Sequence, residues 1–257
     1  MLDYSQEAER YDASRGGEPR AAAAAEGVLG LVPGDARRLL DLACGTGIVT
    51  RRLAAARDGL RVTGVDLTDA MVRRAAARIP GAVVRADARR LPFPDGTFDA
   101  VTSVWLLHLL PGPAAVRAVV AECARVLRPG GVYVTTVDKA AGHNVGSDID
   151  AVLAARPRSR AVDEAAAVET YAAAHGLLPA GRTRFPGRGQ GRSPRRTIAD
   201  LRRGWFVTLP PGDPRADTFA ARLSALPDQD RPRPDPWFTL RAFRKTAGAA
   251  TRRRTPE

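Results

Sequence analysis

The 257 residues are 44% hydrophobic and 26% charged, a balance that suits one α/β domain with an appendage and excludes a wholly disordered chain. Two cysteines, Cys44 and Cys123, cannot build a disulfide framework or a multi-thiolate zinc site, and three histidines argue against a dedicated metal site. The net charge of +12 raises nucleic acid or an acidic surface as a partner, yet only Lys139 and Lys245 of the 40 basic residues are lysines, so arginine identity reflects composition more than function.

The basic excess is uneven: residues 1–140 carry a net +3 and residues 141–257 a net +9. The polar, acidic N-terminus does not read as a secretory signal. No apolar run approaches the ~20 residues of a membrane span, so a cytoplasmic protein is expected.

Ala21 to Leu31 reads as an alanine-rich helix, stopped by Val32-Pro33-Gly34. Arg38 to Leu42 reads as a buried strand, followed by Gly45-Thr46-Gly47 and a helix to about Ala56. Leu60 to Val65 is a second strand, Asp69 to Arg78 a helix, and Ala82 to Ala86 a short strand. Phe98 to Val104 is a stronger strand, Val116 to Leu127 a helix, and Arg128-Pro129-Gly130-Gly131 turns the chain into the strand Val132 to Val137. Strands alternating with helices of roughly ten residues imply βαβ units and a mostly parallel, doubly wound sheet. Beyond Ala140 the pattern weakens. Residues 181–204, rich in Gly, Pro and Arg, are expected to form a long loop. Tyr171 to Leu178 and Phe219 to Leu226 are expected helices, and Trp237 to Phe243 a final strand.

A buried strand running into a glycine turn at a helix start is a place where backbone N–H groups face a ligand. A dinucleotide fingerprint G-x-G-x-x-G would need glycine where this chain has Thr50, so a pyrophosphate site matches poorly. The run Asp41-x-Ala43-Cys44-Gly45-Thr46-Gly47 resembles the first motif of class I S-adenosylmethionine-dependent methyltransferases, with Ala43 where glycine is usual. Val62 to Met71 resembles the second-strand motif, Arg85 to Asp99 the segment leading into strand four, and Arg125 to Gly131 the turn before strand five. The run Leu91 to Asp99 resembles the small-molecule and quinone-type (methyltransferase type 11-like) subgroup.

The resemblance implies a Rossmann-like, seven-stranded mostly parallel sheet with an antiparallel last strand, plus a variable helical and loop lid over the substrate. It divides the chain into an N-terminal helical lid segment (1–34), a cofactor-binding core (35–140), a C-terminal part of the same domain with lid and last strands (141–245) and a disordered tail (246–257). It implies S-adenosylmethionine as cofactor and S-adenosylhomocysteine as product.

The residue roles follow the motifs. Asp66, at the tip of strand two, would hold the ribose hydroxyls and contribute little to the fold. Asp87, followed by Ala88, would contact adenine. Asp41 and the turn Ala43, Cys44, Gly45, Thr46 and Gly47 would hold the methionine part, and Leu67 and Met71 would pack on adenine. Ser103 and Val104, ending strand four, complete the cofactor set. Tyr4…Tyr11-Asp12-x-x-Arg15 resembles the segment that folds over the cofactor, Arg15 at the methionine carboxylate and Tyr11 lining the acceptor pocket; a solvated amphipathic helix is the alternative. His108 is either a pocket wall or a general base, and His143 and His175 read as surface. Trp205, Phe206, Trp237 and Phe238 are wall or core. The arginines of 182–203 read as a solvated loop, with contact to an anionic acceptor or nucleic acid as the alternative.

The expected activity is methyl transfer to a small organic acceptor by in-line displacement. An RNA or protein methyltransferase using the basic second half, and a non-catalytic cofactor-binding regulatory domain, are the alternatives.

Overall fold

The computed structural model describes residues 9, 11–156, 160–204, 209 and 212–247. A seven-stranded sheet in the order β3-β2-β1-β4-β5-β7-β6 organises them. Its strands are β1 (Arg38–Leu42), β2 (Arg61–Asp66), β3 (Val83–Arg85), β4 (Phe98–Ser103), β5 (Leu127–Val137), β6 (Leu177–Pro186) and β7 (Trp237–Lys245). β1 is central, pairing in parallel with β2 (Leu39↔Val62) and with β4 (Leu39↔Ala100). β7 runs antiparallel to both of its neighbours, β5 and β6. The expected mixed sheet with an antiparallel last strand is therefore present.

Successive strand side chains point to opposite faces, and here both faces are apolar, as in a sheet covered on both sides. Leu39, Val62, Ala100, Val132 and Val134 enter one buried cluster; Leu40, Val65, Val101 and Tyr133 enter the other. The first cluster is closed by the helices α2 (Gly17–Leu29) and α3 (Ile48–Ala55). The second is closed by α5 (Pro113–Val126) and α8 (Ala165–Ala173). Between these lie the one-turn α1 (Tyr11–Ser14), α4 (Asp69–Arg78) and a 3-10 turn (Leu107–Leu109), followed by α6 (Lys139–Gly142), α7 (Asp148–Leu153), α9 (Pro194–Arg202) and α10 (Pro214–Ser224). A third, smaller cluster of Ile149, Val152, Leu153, Leu201, Phe219 and Leu223 packs α7, α9 and α10 around a core of their own.

The sequence expectation fails in the second half in specific ways. Residues 181–204 are not one long loop: β6 runs to Pro186, and α9 starts where the Ser193 hydroxyl accepts the Arg196 N–H with Pro194 in the first turn. The expected helix at Tyr171 to Leu178 instead ends at Ala173, because Gly176 turns the chain with φ 69° and Leu177 opens β6. The Pro129-Gly130-Gly131 turn lies inside β5, as an irregularity in its register with β4. The tail expected at 246–257 lies, beyond residue 247, outside the described residues.

Candidate active site

The strand order reverses between β1 and β4, so the loops leaving their carboxyl ends diverge and open a crevice, the usual ligand position in such sheets. The β1 loop is built from left-handed backbone at Ala43 (φ 54°), Gly45 (φ 58°) and Gly47 (φ 76°). Ala43 explains why glycine is usual there, since a Cβ in this region costs ~1–2 kcal/mol. A side chain on Gly47 would meet Ala75 of α4 at 3.0 Å, whereas one on Gly45 would meet nothing within 4 Å. The turn is thus tight against α4 and open toward the crevice.

Three carboxylates line the carboxyl ends of β1, β2 and the segment after β3. Asp66 is 9% exposed, and its two oxygens accept the Gly45 N–H at 2.9 Å and the Thr68 N–H at 2.8 Å. Burial raises its pKa against those bonds. Each carboxylate oxygen keeps a second lone pair, so the group ties the glycine turn and can still accept ligand hydroxyls. Asp41 is buried and accepts the Thr50 hydroxyl at 2.6 Å; burial first, and the nearby Asp66 charge, raise it to about 7. Thr50, which argued against a pyrophosphate site, here holds the Asp41 carboxylate. Asp87 is saturated by Arg89, whose Nε lies 3.0 Å from both oxygens and whose backbone N–H donates at 2.8 Å; this pairing lowers its pKa.

The other expected residues divide. Leu67 is 60% exposed at the crevice rim, whereas Met71 is buried in α4. Ala88 is half-buried against the second cluster. The Cys44 thiol is buried, and burial pushes its pKa up. The Thr46 hydroxyl donates to Asp12 at 2.6 Å. The Ser103 hydroxyl is spent inside the sheet on Tyr133 (2.7 Å) and Thr135 (2.9 Å), and Val104 packs in the first cluster. Both therefore turn their side chains from the crevice and leave only backbone to it.

The N-terminal segment does lie on the loop. Asp12 accepts from Thr46 and from Arg78 (2.6 Å), latching α1 to the glycine turn, and the Arg15 guanidinium sits 5.8 Å from the Tyr11 ring. This latch joins residues 34 and 66 positions apart, so no local pattern could reveal it.

The segment after β4 forms the other side of the crevice. Trp105, just past β4, holds a left-handed conformation (φ 61°) with its N–H on Thr136 (2.8 Å), and the Arg20 guanidinium lies 3.7 Å over its ring. His108 is driven to about 2 by burial, then by the charges of Lys139 and Arg15, and its Nδ1 has no partner among the described residues. His143, expected at the surface, is half-buried with its ring 5.3 Å from Phe238; His175 is exposed as expected. Phe238 is core and Trp237 is 47% exposed. Trp205, Phe206 and Tyr4 lie outside the described residues.

The family profile described as methyltransferase domain matches residues 40–135, the segment that contains the glycine turn, Asp66 and Asp87. Over residues 40–135 the chain is similar to methyltransferases. Relatives include the 27-O-demethylrifamycin SV methyltransferase of Amycolatopsis mediterranei, 42% identical over 112 residues, covering 41% of this chain and 39% of that protein. The demethylmenaquinone methyltransferase of Beutenbergia cavernae is 46% identical over 105 residues, covering 40% of each. The matches span less than half the length of these relatives. A chain of the complex between the Haloferax volcanii Trm112 methyltransferase activator and a methyltransferase shares the fold, with TM-score 0.60, 18% identity and coverage of 96% of this chain and 99% of that one. Among the described residues, no helix is long and apolar enough to cross a membrane.

Proposed function

We propose that this protein moves a methyl group from S-adenosylmethionine to a small organic acceptor by in-line displacement, in a cytoplasmic setting. The observation that carries the reading is Asp66, held by two backbone N–H groups at the lip of the glycine turn with lone pairs left for a ribose diol. The cofactor supplies an electrophilic methyl on a sulfonium. In this reading the Ala43 to Gly47 turn, with Asp41 behind it, receives the methionine part, where an acidic wall favours a cationic ligand. Asp87 and Ala88 meet adenine once Arg89 gives way, and Leu67 covers one face of it; Met71 supports that wall from behind. The Ser103 and Val104 backbone floors the crevice. Asp12 holds α1 over the turn, which brings Tyr11 and Arg15 to its mouth and sheds water from it.

Alignment of acceptor and methyl carries the chemistry, with no covalent intermediate. His108 serves as pocket wall: a nitrogen whose pKa is about 2 is a weak base at neutral pH. Calorimetry with S-adenosylhomocysteine against NAD tests the cofactor, and a panel of candidate acceptors with methyl-labelled S-adenosylmethionine tests the transfer. Binding of NAD without binding of S-adenosylhomocysteine would overturn the reading.

A further inference from the structure

The one-turn helix α1 and the residues just after it are gripped by two different parts of the molecule. At one end the Asp12 carboxylate accepts the Thr46 hydroxyl and the Arg78 guanidinium, each at 2.6 Å, and Arg78 donates again to the Thr46 carbonyl at 2.8 Å. These three groups close a triangle on the glycine turn. At the other end the Ser14 carbonyl accepts Arg196 of α9 at 2.6 Å, and the Arg15 carbonyl accepts the Gln190 side-chain amide at 3.3 Å. There the two segments also meet backbone to backbone. A Cβ on Gly16 (φ 90°) would sit 2.0 Å from the Arg188 carbonyl oxygen, and one on Gly189 (φ 72°) would sit 3.0 Å from the Gly16 Cα.

The segment met at Gly16 is tied to a larger unit. The Asp235 carboxylate accepts the Gln190 and Gly191 N–H groups at 3.0 and 2.8 Å, the Arg233 N–H donates to the Arg192 carbonyl at 2.8 Å, and the Arg233 guanidinium pairs with Asp148 of α7 at 2.7 Å. Leu201 of α9 shares its core with Ile149 of α7 and Phe219 of α10. A shift at Gly16 therefore bears on α7, α9 and α10 together. Nor is α1 slack: the Arg15 N–H donates to the Asp12 carbonyl at 3.1 Å and the Ser14 hydroxyl to the Tyr11 carbonyl at 3.0 Å. A closed turn transmits a displacement that a loose loop of the same length would absorb. Only a few partly exposed polar bonds hold it, each worth little alone, so it can open locally at a cost far below that of unfolding.

We propose that residues 12–16 are a strap that couples the glycine turn to the α7, α9 and α10 group, so that a ligand seated in the turn and a closed group stabilise one another. The identity of that ligand rests on the methyl-transfer reading; the strap itself does not. The coupling is reciprocal: whatever settles the group tightens the turn on its ligand by the same factor, and whatever unseats the strap weakens the ligand. Gly16 sets the fit. With any Cβ there the two backbones must part, and α1 can no longer reach Thr46 and residue 188 together.

The test follows backbone hydrogen exchange in the full chain, with and without S-adenosylhomocysteine. In the ligand-free chain Asp12→Ala should speed exchange over residues 190–197 at least ~3-fold, although the Asp12 side chain bonds to none of them. In wild type S-adenosylhomocysteine should slow the same amides. In Gly16→Ala that slowing should vanish and affinity should fall about 2–10-fold, the scale of one hydrogen bond. Arg196→Met removes an exposed side chain and one bond to Ser14, leaves the fold intact and should act in the same direction. Unchanged exchange over 190–197 in Asp12→Ala, or wild-type affinity with the slowing intact in folded Gly16→Ala or Arg196→Met, would overturn the proposal. So would faster exchange throughout, residues 132–137 of β5 included, because it would assign the effect to global stability. Exchange over 190–197 that depends on Asp12, in a wild type that ignores S-adenosylhomocysteine, would keep the strap and remove the methyl-transfer reading.

Discussion

Asp66→Ala perturbs two functions of one carboxylate, and the structure separates them. In the folded chain the carboxylate satisfies the Gly45 and Thr68 N–H groups, at 2.9 and 2.8 Å. An orphaned buried N–H costs about 1–3 kcal/mol. Both donors are half-buried, so water recovers part of this and the lower end applies to each, about 2 kcal/mol together. For a chain of this size that corresponds to a fall in Tm of roughly 4–8 °C. This overturns the sequence-level expectation that a strand-tip carboxylate contributes little to the fold. In the proposed function the same oxygens accept ribose hydroxyls, bonds worth ~1.5–3 kcal/mol each when the acceptor is ionised. Affinity for S-adenosylhomocysteine should therefore fall at least ~10-fold, after allowance for water at the rim. Thermal melting and calorimetry on the same preparation read the two effects. Asp66→Asn, which keeps one acceptor oxygen, should lie between wild type and alanine in both. An alanine variant that melts with wild type refutes the loop tie, and one that binds with wild-type affinity refutes the ribose assignment.

Three further outcomes follow. His108→Asn should lower turnover modestly and leave the shape of the pH–rate profile between pH 5 and 8 unchanged, because a group depressed to about 2 does not titrate there; a ~10²–10³-fold loss would restore the general-base reading. Asp41, raised to about 7, keeps in the folded state a proton that the unfolded chain has lost above about pH 4, so its contribution to stability declines as pH rises from about 4 to 7 and then levels off. Asp41→Asn should therefore gain on wild type by about 3 kcal/mol between pH 5 and 8, and parallel melting curves across that range would refute the shift. Arg89→Ala should leave S-adenosylhomocysteine affinity equal or raise it by up to about fivefold, since it frees Asp87 from an exposed ion pair worth at most about 1 kcal/mol; a loss of affinity would show that Arg89 itself holds the ligand.

The helix read from Asp69 to Arg78 has those bounds in the structure, with Thr68 as the residue before its first turn; the Asp69 carboxylate pairs with Arg73 one turn on and with Arg85 at 3.7 Å. A cap is decided by backbone conformation, which a residue type only biases.

From Arg38 to Val137 the sequence determined nearly everything about the sheet, because β1, β2, β4 and β5 are buried on both faces, only the edge strand β3 being half-exposed, and each helix is buried on one, and such burial is written in the local pattern. The glycine turn was equally legible, since its residues must adopt left-handed backbone whatever surrounds them. The lid was not. Its boundaries depend on contacts such as Arg233 with Asp148 at 2.7 Å and the Gln190 and Gly191 N–H groups with Asp235, which join segments 44 to 85 residues apart. Inside the stretch that reads as solvated loop, the Gln190 and Gly191 backbone is held by the distant Asp235 carboxylate. The crevice is likewise a tertiary fact, because only the reversal of strand order parts the loops that leave β1 and β4.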